Sequence, residues 1–304
     1  MASGMLRGTC THCTQEAALV TATSRGAQSR TDQVIRSLEV DIESGTLAPG
    51  EVLPSTDDLA TQFAVSKDTI NKAMKALRAK GLIETKQRSK RTVSTHLAPP
   101  RQEPIKTVQP TAVLIGGYAG TGKSELGRML SHETGWALVD KDTVSRPLVE
   151  MALETMGRSP HDRESVTYLS TVRPREYEAL DMTAAENIGA GSSVILSAPY
   201  LKEFTDEAWL RRTKSTLESA GARVVFIWVT CDFDSMLMYL RRRGAARDAS
   251  KLANWDAYAS GLDLEFRPSV DHIRVENSVS SAPLKEQARE IVRKLVTTEA
   301  GGAK

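Results

Sequence analysis

The sequence predicts an α/β protein in two parts: a small, mostly helical head, then a larger domain whose strands and helices alternate around a parallel sheet. Three observations carry this reading. From residue 111 onward, apolar β-branched runs such as "TAVLIGG", "SSVILSAP" and "ARVVFIWVTC" alternate with helical patterns, the order expected of parallel strands joined by crossover helices. Ahead of them, "LAPPRQEPIKTVQP" at 97–110 holds four prolines in fourteen residues, and proline lacks the N–H that helix and sheet require. The chain has 304 residues, enough for two ordinary domains. The expected division is a disordered tail at 1–30, a head at 31–95, an extended linker at 96–110 and the large domain at 111–304.

Hydrophobic residues make up 40% and charged residues 26%, the proportions of a soluble globular chain. No apolar run approaches the ~18 residues of a membrane span, and the first residues lack the basic-then-apolar order of a secretory signal. A cytoplasmic protein with no membrane partner is the expectation. Of three cysteines, Cys231 sits in an apolar run and reads as a buried thiol. Cys10 and Cys13 enclose His12 in "CTHC", which has no second ligand pair, so it reads either as a metal ligand set or as part of a polar tail. An odd thiol count fits a reducing compartment. The net charge of +2 is uneven: residues 66–93 hold nine basic and two acidic side chains. Such a local basic surface points to nucleic acid, with a surface for protein contacts as the alternative.

In the head, Val34, Ile35, Leu38 and Ile42 recur at helical steps until Gly45 and Pro49-Gly50 stop them. A second helix starts at Ser55 or Thr56, with Ser55 and Asp58 spaced as a capping box. A third begins at Ser66 and carries Ile70, Ala73, Met74 and Leu77 on one face, closing at Gly81. "LIET" and "RTVST" then alternate as two short strands around a basic tip, "KQRSK".

In the large domain the strand "TAVLIGG" runs into "GGYAGTGKSELG", followed by a helix over about 123–133. "WALVD" reads as a strand, 144–156 and 174–189 as helices, and "SSVILSAP" and "ARVVFIWVTC" as buried strands. "FDSMLMYLRRRG" is a helix, "HIRVENS" a short strand and "PLKEQAREIVRKLV" a final amphipathic helix. The glycine loop matches G-x-x-x-x-G-K-[ST] in full, between a strand and a helix as that motif requires. Gly117, Gly120 and Gly122 let backbone N–H groups, with that of Thr121, approach phosphate oxygens. The helix N-terminus, entered through Lys123, Ser124 and Glu125, adds partial positive charge. Lys123 would reach the β- and γ-phosphates of ATP or GTP, and the Ser124 hydroxyl would ligate Mg²⁺. Asp140 and Asp142 fall at the end of the next strand, where open α/β sheets bind ligands. They read as a metal ligand and a proton acceptor, or as helix N-caps.

These motifs resemble the P-loop small-molecule kinases of the shikimate and gluconate kinase type, with chloramphenicol phosphotransferase and zeta-toxin relatives, over about 111–296. The resemblance implies a P-loop NTPase fold, a three-layer α/β/α domain with a parallel sheet, and a probe of its roles residue by residue. Asp142 takes the place of the acidic group that contacts the acceptor and acts as base, and Asp140 supports Mg²⁺. "YLRRRGAARD" is similar to the mobile lid whose arginines clamp the transferring phosphoryl group, with Arg243 and Arg247 four residues apart as on one helical face. The alternative for these arginines is a solvated basic helix end. "VRPREY" places Arg173, Arg175 and Tyr177 on the substrate side, as acceptor contacts or helix caps. "VENS" places Asn277 where such kinases pass the adenine. The chain departs from the group at Ser197, where a carboxylate often ends the third strand.

Over about 31–95, "LAPGEVLPSTDDLATQFAVSKDTINKAMKALRAKGLIET" resembles the winged helix-turn-helix DNA-binding region of GntR-type transcription regulators. That resemblance implies a double-stranded DNA operator as partner, dimeric binding at two-fold half-sites, and phosphate contacts near Ser55 and Ser66. Lys67, Thr69, Asn71, Lys72 and Lys75 lie off the apolar face of the third helix and are free to enter a major groove. The family usually has Arg at the positions of Lys67 and Asn71. Its wing reads Gly-x-Gly-Thr where this chain has Arg88-Ser89-Lys90-Arg91, a more basic tip suited to phosphate. Three functions follow. One is a regulator whose P-loop domain binds ATP-Mg and phosphorylates or senses a small hydroxylated metabolite. Another is a small-molecule kinase with the winged helix as tether or dimerisation device. The third is an ATP switch without phosphotransfer.

Overall fold

The computed structural model describes residues 29–85, 90–97, 104–105 and 109–300, the last four by backbone alone. The disordered tail expected at 1–28, the Cys10-His12-Cys13 cluster, Arg88 and most of the proline linker lie outside the described residues.

Local sequence explains each element of the head. Helix α1 (Arg30–Glu43) starts where the Ser29 side chain accepts from Asp32 N–H. Helix α2 (Thr56–Phe63) carries the full capping box: Ser55 accepts from Asp58 N–H, and Asp58 accepts from Ser55 N–H. Ala64 then turns the chain in a left-handed conformation, φ +52°, toward Ser66. Ser66 caps α3 (Lys67–Ala79) through Thr69 N–H at 3.1 Å. Strands β1 (Ile83–Thr85) and β2 (Arg91–Val93) pair antiparallel with Ile83 opposite Val93. Leu38, Leu59, Ile70, Ala73 and Leu77 close a core with Ile83 and Val93, so the helical faces read from the sequence do meet.

The large domain is a five-stranded parallel sheet in the order β4-β5-β3-β6-β7. Its strands are β3 (Thr111–Gly117), β4 (Ala137–Asp140), β5 (Val194–Ser197), β6 (Arg223–Thr230) and β7 (Ile273–Glu276). One face is covered by α6 (Arg173–Gly189) and α7 (Glu207–Ser219), through Tyr177, Leu180, Ala184 and Leu217. The other is covered by α4 (Lys123–Thr134) and α11 (Leu284–Ala300), through Leu126, Leu130, Leu284, Ala288 and Ile291. This is the expected three-layer arrangement. Helices α5 (Lys141–Thr155) and α8 (Phe233–Arg243) follow the carboxyl ends of β4 and β6, and α9 (Ala249–Ala253) and α10 (Trp255–Ser260) follow α8.

Several elements differ from expectation, among them α9 and α10, for which the sequence reading has no counterpart. Helix α5 begins three residues earlier than 144 because Asp140 caps it. Helix α6 is entered through a π-helical turn at Tyr168–Val172. Helix α7 has no counterpart in the sequence reading: only Thr213 and Leu217 of it are buried, too sparse a stripe to stand out. Cys231 is a buried free thiol, as expected.

The head rests on the large domain through α1 and α2. Val40 of α1 joins the core layer of α4 and α11, and Met238 of α8 packs on the head core. Around these, Arg36 Nη2 donates to the Ala282 carbonyl at 3.1 Å, and Lys285 pairs with Glu43 at 3.6 Å. Among described residues, no helix is long and apolar enough to cross a membrane.

Ser66→Ala removes the side-chain acceptor at the start of α3. It is expected to lower stability by about 1 kcal/mol, read as a lower urea midpoint at unchanged slope.

Candidate functional site

Strand β3 is buried along its length and delivers the glycine loop to the carboxyl edge of the sheet. Two glycines there admit no side chain. Gly117 has φ +149° and an added Cβ would strike the Val229 carbonyl; Gly122 has φ +93° and an added Cβ would strike the Asn277 amide. Gly122 is also the N-cap of α4, and no side chain caps that helix. The first N–H groups of α4 therefore face the cavity with the positive end of the helix dipole, the arrangement that binds phosphate.

The loop is braced from within. Thr121 Oγ1 and Lys123 Nζ both donate to the Tyr118 carbonyl, at 3.0 and 2.7 Å. Asn277, buried at the end of β7, donates from Nδ2 to the Thr121 carbonyl at 3.0 Å. It thus holds the loop from beneath, whereas the sequence reading placed it beside a base. Burial depresses the Lys123 ammonium most, the Arg243 charge adds to this, and Asp142, Asp140 and Glu125 oppose it; its pKa falls to about 8. Glu125, one residue past Ser124, lies 3.9 Å from Arg128.

Ser124 Oγ donates to Asp140 Oδ2 at 2.8 Å. The other oxygen of Asp140 accepts from the N–H groups of Asp142 and Thr143, at 3.1 and 3.3 Å. Asp140 is thus both a helix cap and a neighbour of the P-loop serine, so the two readings of it coexist. Ser197 stands opposite Asp140 in the β4–β5 register, leaving Asp140 as the carboxylate at this edge. Asp142 pairs with Arg247 at 3.0 Å and with Lys141 at 3.3 Å. Burial works against its ionisation, but the charges of Lys141, Arg247 and Lys123 outweigh it and hold the carboxyl below its usual range.

Behind Asp142 lies a buried network that the sequence reading missed. Lys141 Nζ donates to Glu176 Oε1 at 2.7 Å, and Ser145 Oγ donates to the same oxygen at 2.6 Å. Tyr168 OH donates to Glu176 Oε2 at 2.6 Å. Nothing local in the sequence marks Lys141 as buried; only the pairing of α5 with α6 does so.

The arginines separate. Helix α8 ends at Arg243 because Gly244 takes the left-handed conformation, φ +56°, so Arg243 and Arg247 do not share a helical face. Arg243 Nε donates to Asp248 at 2.9 Å, while Arg247, in the turn Ala246–Asp248, reaches Asp142. Arg173, Arg175 and Tyr177 are engaged elsewhere. Arg173 pairs with the Glu203 carboxylate and stacks over Tyr177, whose hydroxyl accepts from Tyr200 N–H. Arg175 is exposed and paired with Glu178 at 2.6 Å.

A cavity of about 260 Å³ opens over the loop. Gly120, Lys123, Ser124, Glu125 and Arg243 line one side of it, and Ser37, Asp41 and Gln62 of the head line the other.

On the opposite face of the head, Asn71, Lys72 and Lys75 are exposed along α3 and Thr69 is half-buried. Lys67 and Lys72 pair with Asp57 and Asp68, each at 2.8 Å on the surface, where such pairs hold little energy. Arg91 bridges the hairpin to the helices: its guanidinium donates to Thr56 Oγ1 at 3.1 Å and to Asn71 Oδ1 at 3.2 Å. Lys90 is exposed beside it, and a groove of about 350 Å³ runs between α3 and the hairpin, lined by Asn71, Lys75, Arg78 and Arg91. Of the expected DNA-reading set, Asn71, Lys75 and Arg91 meet in this groove, which shares no lining residue with the cavity over the glycine loop.

The fold and the loop define a P-loop kinase-like domain carried behind a helix-turn-helix head of GntR type, and such a domain implies nucleotide binding. Residues 113–264, half of the chain, match the family model described as AAA domain, and the chain belongs to that family. Residues 30–93 match the model for bacterial regulatory proteins of the gntR family. A cytidylate kinase of Azotobacter vinelandii is 28% identical over 131 residues, 38% of this chain and 55% of that protein. A shikimate kinase of Moorella thermoacetica is 26% identical over 116 residues, 37% of this chain and 65% of its own length. The HTH-type transcriptional regulator Mce2R of Mycobacterium tuberculosis is 37% identical over 62 residues, 20% of this chain and 26% of that protein. The chain therefore spans about half the length of the first of these kinases and about a quarter of the regulator.

Glu176→Ala would take from the buried Lys141 ammonium its nearer partner, leaving only Asp142, and would strip Ser145 and Tyr168 of their acceptor. The expected loss is roughly 3–5 kcal/mol of stability, visible in chemical denaturation of the intact chain.

An anion bound at the loop raises the Lys123 pKa back toward its ordinary value, so binding takes up a proton when the pH exceeds about 8. Triphosphate affinity should therefore be level below that pH and fall above it. Calorimetry in buffers of different ionisation enthalpy checks both the slope and the proton.

Proposed function

We propose that this protein is a GntR-type transcription regulator whose P-loop domain binds ATP with Mg²⁺, GTP being the alternative, and phosphorylates a small hydroxylated metabolite. The observation that carries the proposal is the convergence of Lys123, the Ser124–Asp140 pair and Asp142 around the uncapped N-terminus of α4. The loop amides and Lys123 hold the triphosphate and orient its terminal phosphate toward β4. Asp142, ionised at neutral pH, stands one residue beyond the Asp140–Lys141 junction and accepts the proton of an acceptor hydroxyl. Arg247 and Arg243 offer planar forks to phosphate oxygens once released from Asp142 and Asp248.

The donor set suits Mg²⁺. Ser124 Oγ and Asp140 Oδ2 are hard oxygens side by side, and Mg²⁺ is held by few protein groups, with water and phosphate completing its shell. When bound, the ion supplies charge neutralisation of the phosphates.

In the regulator's output, α3 and the hairpin read double-stranded DNA, with Asn71, Lys72 and Lys75 toward the groove and Lys90 and Arg91 toward phosphate. Two copies would address two-fold half-sites. A second reading, a nucleotide switch without turnover, is favoured by Ser197 in place of a carboxylate and by the double pairing of Asp142, which weakens it as a base.

ADP release measured over sugars, nucleosides and aminoglycoside-like alcohols should find an acceptor. Lys123→Ala should lower that turnover roughly a hundredfold or more while leaving operator affinity in a mobility assay unchanged. ATP binding without any acceptor-dependent ADP release would favour the switch. Loss of DNA binding in the wild type would remove the regulator.

A further inference from the structure

The cavity over the glycine loop has one arginine of the lid-like stretch turned toward the head. Arg242, next to last in α8, turns its guanidinium to the head and away from the solvent. Its Nη2 pairs with Asp41 of α1, and its Nη1 donates to the Ser37 carbonyl and to Ser37 Oγ, the latter at 2.6 Å. The guanidinium lies 5.7 Å from the Phe63 ring centre, and Gln62 of α2 donates to the Arg242 carbonyl. The side chains of Arg242 and Asp41 are only 10% and 16% exposed. Both line the same cavity as Lys123 and Ser124. Beside the packing of Met238 on the head core and the Gln62 bond to the α8 backbone, the head thus holds α8 by a guanidinium that stands at the mouth of a phosphate cradle.

A nucleoside triphosphate presents what Arg binds best: phosphate oxygens for its planar fork and an aromatic base for its face. It also presents several negative charges to Asp41, which gains nothing from their approach. Nucleotide and Asp41 thus compete for Arg242. The cavity, at about 260 Å³, has Ser37, Asp41 and Gln62 of the head as one wall, so a nucleotide seated on the loop meets the head.

We propose that Arg242 is a ligand shared in turn by the head and the nucleotide: Asp41 and Ser37 hold it in the empty protein, a bound nucleoside triphosphate takes it over, and the head then leaves α8. This rests on the reading that the P-loop domain binds such a nucleotide. The basic face of α3 is exposed while the head is docked, so nucleotide does not uncover the DNA-reading surface. It changes how freely two heads can be spaced on a pair of half-sites.

The test uses the full chain with ATP-Mg, by calorimetry and small-angle scattering. Asp41→Ala and the isosteric Asp41→Asn should each tighten ATP binding by a factor in the roughly 5- to 150-fold range of ordinary coupling between sites. Arg242→Ala should weaken it, and Asp41→Ala should add nothing in that background. Saturating ATP should expand the wild-type particle, and the Asp41 variants should be expanded without it. ATP binding by the wild type with unchanged scattering, or Asp41 variants that bind ATP no better than wild type, would overturn the proposal and leave the nucleotide site standing. A wild type that binds neither ATP nor GTP removes the nucleotide reading and this proposal together.

Discussion

The turn from β3 into α4 passes so close to β6 and to the end of β7 that positions 117 and 122 have no room for a Cβ. That closeness governs the rest of the site. It forces glycine into backbone conformations that other residues avoid, and it leaves α4 without a side-chain cap. A helix end with bare N–H groups at the carboxyl edge of a parallel sheet requires an anion or water to satisfy it. Asn277 holds the loop in this shape from below, and Lys123, bonded to the Tyr118 carbonyl, stands beside it.

Three consecutive residues at the end of β4 show how one change of secondary structure distributes chemistry. Asp140 is the last strand residue and folds back to cap α5 while touching Ser124. Lys141 opens the helix and points inward to Glu176. Asp142, one helical step further round, points to Arg247. Successive positions on a helix differ by about a quarter turn and more, so neighbours in sequence reach different partners. The buried Lys141–Glu176 pair, with Ser145 and Tyr168 completing its hydrogen bonds, ties α5 to α6 and thereby sets where Asp142 stands. Pairs of this kind add little net stability compared with apolar packing, but they penalise any arrangement that separates them.

The cavity over the glycine loop and the basic groove of the head are lined by different parts of the head. The backs of α1 and α2 cover the mouth of the phosphate site, whereas α3 and the hairpin face outward. Leu38 and Leu59 of α1 and α2 share one small core with Ile70 and Leu77 of α3, so the two sides of the head are packed through a single cluster.

The fold class, the phosphate loop and the helices of the head were legible in the amino-acid order because each depends on near neighbours. A capping box spans four residues, an amphipathic face repeats every three or four, and the glycine motif spans eight. For the same reason the sequence alone marked Lys123, Ser124, Asp140 and Asp142 as chemistry at one sheet edge. It did not mark Glu176 as the partner of Lys141, nor place Asn277 under the loop, nor show that Gly244 would part Arg243 from Arg247. Neither did it show Asp41 meeting Arg242 across two hundred residues. Those contacts join elements that only the packing of the sheet, its helices and the head brings together, and burial and charge pairing, unlike periodicity, belong to the surroundings a side chain acquires on folding.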